Sequence, residues 1–453
     1  MAKMKKTPRN VGQYSLKHMP QQYKRTRRPL SARTIMTRSM LTLSSNSSTT
    51  GFFYRLPMEV IDIILRQLSV LEMSVLGMVS KDLTGYVVDH ISSLVWKNKM
   101  ITQNFHHTNS NEVKSTIQHY RALGLLFKRC TLLLPTKDRL KFIFNNFSQI
   151  SCFMLEQCLV PNCSGFSSFG VFLQTVIAGW NELECHRVFN FLCDHTNLLQ
   201  KIATVISRKP GLLSYRELQI RLFCRQVLLD PWLNRPECQF WLIELLKPWP
   251  MVSQAHLLLI LYGPLLPEGT IGWHDLVDRV VPHGHLWELA KSILLLLARF
   301  QVKDWTTDSI LPILEELTVI PEPWNMENVA RLLVLCGNHL CYTFLANKAL
   351  NGRLHDISRL IVFIIMVCEK DGYHMNWAVR LVHQIYQVFT TAVEKLYFIQ
   401  SLEGMFSKIT REFFELPVTG EIQERETFQM LCVLLDSSAR FHAKFLHMFL
   451  KDE

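Results

Sequence analysis

The chain lacks any apolar run long enough to cross a bilayer. A spanning helix takes about 20 consecutive apolar residues. The longest candidates here, Ile293–Ala298 and Leu360–Cys368, are short and closed off by charged residues. A soluble protein without membrane contact is expected. The first residues lack the apolar core of a signal peptide, so secretion is not expected. No C-x-x-C occurs among the twelve cysteines. Most of them lie among apolar residues, as in Arg331-Leu332-Leu333-Val334-Leu335-Cys336. In a chain that is not secreted, these read as reduced thiols acting as small hydrophobes rather than as a disulfide framework. There is no Gly-rich phosphate loop and no G-x-S-x-G, which removes two common enzyme signatures.

Acidic residues are missing from one region altogether. Residues 1–50 hold eleven Lys or Arg and no Asp or Glu. The remainder carries 38 basic and 38 acidic residues, so the net charge of +11 belongs to the tail. The folded body therefore offers no electrostatic footprint for nucleic acid. A basic, Ser/Thr-rich segment poor in periodic apolar residues cannot bury enough surface to offset its chain entropy, so residues 1–51 are expected to be disordered. Within them, Lys24, Arg25, Arg27 and Arg28 form the densest cluster, and Lys3–Lys6 a looser one. Such clusters suit nuclear import or non-specific phosphate contact; a solvated tail without a role is the plainer alternative. A nuclear location is expected, with the cytoplasm also open.

What the chain does have is helical periodicity. Apolar residues make up 48 % of it, ample for a core. They recur at helical spacing in segments such as Phe172–Leu199, Leu286–Phe300, Ile357–Cys368 and Phe428–Phe449. Breaks fall at Pro161–Gly170, Pro210–Gly211, Pro248–Pro250, Gly263–Gly272 and Pro321–Pro323. No fixed repeat period stands out. The pattern predicts an all-α chain of helix pairs packed in series, solenoid-like but irregular, over residues 119–453. A polar linker is expected over 99–118.

Residues 56–98 read as three helices in close succession. Pro57 pre-sets the backbone for a helix start, and Glu59 suits the positive end of its dipole. The first helix then crowds Val60, Ile61, Ile63, Ile64, Leu65 and Leu68 into nine positions, too many for one stripe. Ser69 and Glu72 make an S-x-x-E capping box for the second helix, with Leu71, Val75, Leu76 and Val79 on its apolar face. The third begins near Ser80 and carries Leu83, Val87, Ile91 and Leu94. About forty residues give a marginal core, so the surplus apolar surface must be covered either by a partner or by the rest of this chain.

The series Leu56-Pro57-x-Glu59-Val60, Ile64-Leu65, Leu68-Ser69, Glu72-Met73 and Val79-Ser80-Lys81 resembles the F-box motif in content and spacing. The resemblance implies an F-box over residues 52–98. It also implies the function of such proteins: a substrate-recognition subunit of an SCF-type (Skp1–cullin–F-box) ubiquitin ligase, without bond chemistry of its own. The F-box would bind the Skp1 adaptor, and through it a cullin–RING ligase, while the body holds an unknown protein substrate. Leu56, Pro57, Val60, Ile64, Leu68, Leu76 and Val79 would form the adaptor-facing apolar set, with Ser80 and Lys81 carried over from the motif. Strings in the body, among them Gly124–Lys137, Glu182–Arg187 and Leu246–Met251, resemble one member of the family associated with meiosis in germ cells. The alternative is a Skp1-binding helical scaffold acting in meiosis without substrate degradation.

Other constellations carry less. Cys152-x5-Cys158-x4-Cys163, with Cys185-His186 downstream, has the ligand types for zinc but not the spacing of a tight knuckle, so no metal or other cofactor is expected. Cys193-Asp194-His195 and Cys336-Gly337-Asn338-His339 have the residue types of a Cys/His nucleophile but no orienting group, and no catalytic residue is expected. Trp241, Trp249 and Trp273 read as core and corner packing. Lys247-Pro248-Trp249-Pro250-Met251 reads as a rigid corner, with a presented aromatic anchor as the alternative.

Overall fold

The chain's structure, a computed structural model, describes residues 56–415 and 421–450, apart from 102–103, 108, 156–157, 159–162, 234–236 and 298–304. The expected disorder of 1–51 and the cluster Lys24, Arg25, Arg27 and Arg28 lie outside the described residues. Two compact units divide the chain, residues 1–61 and 62–453. Of the first, residues 56–61 are described. They include the start of α1, Met58–Gln67, whose first turn closes as Pro57 O accepts from the Val60 and Ile61 amides at 3.0 and 3.2 Å.

In the second unit, α2 (Val70–Leu76) follows at once, and α3 (Lys81–Ser92) begins where Ser80 Oγ accepts from the Leu83 amide at 3.2 Å. The expected third helix was longer. It stops at Ser92 because Ser93 takes an extended backbone (φ −68°, ψ 143°) and caps a new helix, α4 (Leu94–Met100), accepting from the Trp96 amide at 3.3 Å. Leu83, Val87 and Ile91 are buried as the spacing demanded; Leu94, beyond the break, is exposed.

The expected linker 99–118 is mostly structured. Phe105 is fully buried, and α5 (Ser110–Cys130) starts with Asn109 as its cap. Polar composition misled here because one aromatic anchor and one Asx cap suffice to order a short polar stretch.

Beyond α5 come α6 (Thr136–Phe147), α7 (Gly165–Ile177), α8 (Glu182–Thr196), α9 (Leu198–Ile206), α10 (Ser214–Phe223), α11 (Glu237–Leu246) and α12 (Met251–Tyr262). Next are the short α13 (Asp275–Asp278), α14 (His283–Leu297), α15 (Thr307–Leu317), α16 (Met326–Leu335) and α17 (Gly337–Leu350). The chain then runs through α18 (Leu354–Lys370), α19 (Met375–Val388), α20 (Ala392–Phe414) and α21 (Glu421–Phe449). No strand occurs among the described residues; a single antiparallel bridge joins Leu265 to Ile271. No helix among them is long and apolar enough to cross a membrane.

Alternate helices stack. One row runs α10, α12, α14, α16, α18, α20, and a second runs α15, α17, α19, α21. A helix inside such a double row has neighbours on several sides, so its side chains are buried around the whole circumference. That is the state of α18, where every residue from Leu360 to Cys368 is buried. The fold is thus all-α and solenoid-like. Within the first row, α16 is tied to the end of α18 by a buried ionic cluster. Glu327 on α16, 1 % exposed, accepts from Arg331 Nη2 at 3.0 Å and from Lys370 Nζ, at the end of α18, at 2.8 Å. Arg331 also reaches Asp371 through Nε at 2.8 Å.

Candidate functional site

The capping box that opens α2 is formed in both directions. Glu72 Oε2 accepts from the Ser69 amide at 2.8 Å, and Ser69 Oγ accepts from the Glu72 amide at 3.3 Å. The bonds from Ser69 hold the Glu72 carboxyl below its ordinary value. This fixes the rotation of a seven-residue helix, and with it which side chains face inward. Val70, Met73 and Ser74 point in, against α5. Leu71 and Val75, one turn apart, point out, followed by Met78 and Val79 in the turn beyond. They are 51, 49, 55 and 67 % exposed.

The inner side is held by specific contacts. Arg129 on α5 donates to Ser74 Oγ at 2.7 Å. Gly77 lies so near Cys130 that a Cβ there would sit 3.3 Å from its Sγ. Thr84 Oγ1 donates to Gly77 O at 2.6 Å, closing the turn between α2 and α3. On α1, His90 Nδ1 of α3 meets Asp62 Oδ1 at 2.6 Å. Burial of Asp62 opposes its ionisation, but His90 and Arg66 outweigh it and keep the carboxyl below its ordinary value.

The residues expected to face an adaptor divide as follows. Pro57, Val60, Val79 and Lys81 are exposed, while Leu56, Ile64, Leu68, Leu76 and Ser80 are half-buried. None is fully enclosed. The expected set left out Leu71 and Val75, placed only on the apolar face of α2, and also Ile63, Met78, and Leu94 and Val95 on α4, all about half exposed or more. The crowding of apolar residues in α1 was the available signal for Ile63. Of the two answers left open for the surplus apolar surface, the rest of the chain supplies part of the cover: α5 lies against one side of α2, and its other side faces solvent.

Elsewhere, the nucleophile readings fail on chemistry. Burial pushes the Cys193 thiol up to about 12, aided by Asp194, and burial likewise lifts Cys336 to about 12. A thiol so placed is not a thiolate at neutral pH. His339 is exposed while Cys336 is buried. Trp241 and Trp273 are core residues, and Trp273 Nε1 donates to Glu217 at 2.8 Å. The Pro248–Pro250 string is a corner: Trp249 Nε1 donates back to Leu245 O at 2.9 Å, and Gln254 Nε2 ties Trp249 O at 2.9 Å.

Of the residues in the zinc pattern, the structure brings only some together. His186 is engaged with Glu244 at 2.7 Å and Cys185 is buried in α8. Cys152, Cys158 and Cys163, however, converge on His106, with all four ligand atoms within 4.8 Å of one another. His106 lies 46 residues before Cys152, a separation that the spacing of the cysteines does not register.

A small helical module with an open apolar face, followed by a helical solenoid, is the architecture of an F-box protein with a helical body. Residues 194–452 match the family described as "FBXO47, ARM repeats". The chain is 46 % identical to F-box only protein 47 of Mus musculus over 407 residues, which are 88 % of this chain and 90 % of that protein. It is 43 % identical to F-box only protein 47 of Homo sapiens over the same shares. The chain belongs to the F-box only protein 47 family. No solved structure matches it.

Proposed function

We propose that the chain is the substrate-recognition subunit of an SCF-type E3 ubiquitin ligase. In this reading the F-box of residues 52–98 binds Skp1, the adaptor binds cullin, and the solenoid holds the protein to be modified. The supporting observation is the division of α2: Met73 is fully buried toward α5, while Leu71 and Val75 on the opposite side stand open with Met78 and Val79. Exposed apolar side chains grouped on one side of a rigid module are the mark of a protein interface. Leu56, Pro57, Val60, Ile64, Leu68, Leu76, Ser80 and Lys81 complete the proposed contact set, joined by Ile63.

The protein would catalyse nothing itself. Its contribution would be to raise the local concentration of a target lysine beside a charged ubiquitin-conjugating enzyme. Action in the nucleus of meiotic germ cells is part of the proposal, with Lys24, Arg25, Arg27 and Arg28 as the import signal.

The test is affinity purification of the intact chain beside one lacking residues 52–98. Skp1 and cullin are expected with the first and absent from the second, and a partner retained by both should be stabilised in cells when the F-box is lost. Failure of Skp1 to purify with the intact chain refutes the reading. Skp1 binding without any change in partner turnover leaves a scaffold.

A further inference from the structure

We propose that His106, Cys152, Cys158 and Cys163 form a structural zinc site. Three soft sulfur donors and one imidazole are the donor set of closed, four-coordinate zinc sites. The four ligand atoms are near enough that small side-chain shifts would close them around the ion. With zinc–sulfur bonds of about 2.3 Å and a zinc–nitrogen bond of about 2.0 Å, the edges of a tetrahedron are about 3.5–3.8 Å. His106 Nε2 lies 3.1 Å from Cys158 Sγ and 3.7 Å from Cys152 Sγ, and no pair among the four ligand atoms exceeds 4.8 Å. Among the described residues this is the one such group.

Its surroundings are built for close approach. Gly165, at the start of α7, is a residue whose Cβ would collide with Cys152, 2.7 Å from its Cβ, and press on Cys163 Sγ at 3.3 Å. Without a side chain there, the Gly165 amide donates to Cys163 Sγ at 3.4 Å. The histidine arm is pinned independently of any metal. Ser164 gives both its amide and its hydroxyl to Phe105 O, at 3.0 and 3.1 Å, and Asn104 Oδ1 accepts from the His106 amide at 3.1 Å. Phe105 itself is buried against Tyr120 and Phe153.

The position gives the site a purpose. His106 lies in the connection between α4 and α5, directly after the helices proposed to carry the adaptor, and the cysteines lie between α6 and α7 of the body. A zinc ion here would staple that connection to the body, so that the adaptor end cannot swing freely against the solenoid. The site stands on its own ligands and holds whether or not Skp1 is the partner.

The test is elemental analysis of the untagged full-length protein, purified without chelator from cells given zinc. About one zinc per chain is expected, and X-ray absorption fine structure should show three sulfurs and one nitrogen around it. Cys158→Ser and His106→Ala should lower the zinc content at least about fivefold, while Cys432→Ser, outside the cluster, should not. Because a variant can fail to fold, the deciding measurement is made on the unaltered chain. If that chain is helical by circular dichroism yet holds under about 0.1 zinc after reconstitution, or if its zinc has only nitrogen and oxygen neighbours, the proposal is wrong.

Discussion

Arg129 Nη1 donates to Ser74 Oγ at 2.7 Å, tying α5 to the buried side of α2. Ser74 is fully buried and uses its own proton on Leu71 O at 2.7 Å, so the guanidinium supplies the remaining bond to that oxygen. A hydrogen bond from a charged donor contributes about 1.5–3 kcal/mol. Arg129→Met should therefore lower the unfolding free energy by about that amount, read from urea titration. An unchanged midpoint would mean that the bond is not formed in solution.

The two sides of α2 should respond differently to substitution. Val75→Asp with Val79→Asp places charge on side chains 49 and 67 % exposed, so folding should be nearly unaffected. Skp1 affinity should fall by about 2 kcal/mol or more, some thirtyfold. Met73→Ala, at a residue with no exposure, should instead cost about 2–5 kcal/mol of stability. Calorimetric titration of the adaptor and thermal melts of each variant separate the two effects.

Stability should decline in mild acid through His256. Burial pulls the imidazole below its ordinary value of 6.5, although the Ile206 backbone opposes this in part. The ring lies edge-on to Trp273, and its Nε2 has no hydrogen-bond partner. The unfolded chain takes up a proton near pH 6.5 where the folded chain does not, so unfolding is favoured as pH falls below that value. Urea midpoints at pH 7.5 and 5.5 should differ, and His256→Phe should shrink the difference. A variant with the same pH slope as the parent would remove His256 from the account.

Glu327→Ala should be among the most damaging single changes in the body. It leaves Arg331, 4 % exposed, with one of its two carboxylate partners and leaves Lys370 Nζ without its carboxylate. Removing one member of a buried ionic cluster costs about 3–5 kcal/mol. Chemical denaturation of the full chain measures it, and a loss under about 1 kcal/mol would show that water repairs the site.

Much of this was legible because it was local. The Ser69–Glu72 box depends on four consecutive residues, and the structure forms it as written. The breaks at Pro248–Pro250 and Pro321–Pro323 fall between helices for the same reason: a proline's missing amide acts at its own position. Ser93 was readable in principle as a cap, but the apolar step from Ile91 to Leu94 pointed the other way, and capping won. The 99–118 stretch was misread because composition cannot register that Phe105 finds a pocket.

The amino-acid sequence by itself determined the helices, their caps and the F-box spacing, since each is set by neighbours within a few residues. Tertiary structure alone decided which apolar side chains are left open. Met73 and Leu71 are both apolar and two positions apart, and they differ because α5 lies against one side of their helix. It also decided the company of Cys152, which meets His106 across 46 residues of chain. No local propensity reaches that far; the meeting goes with the packing of α5, which follows His106, against α7, which follows Cys163.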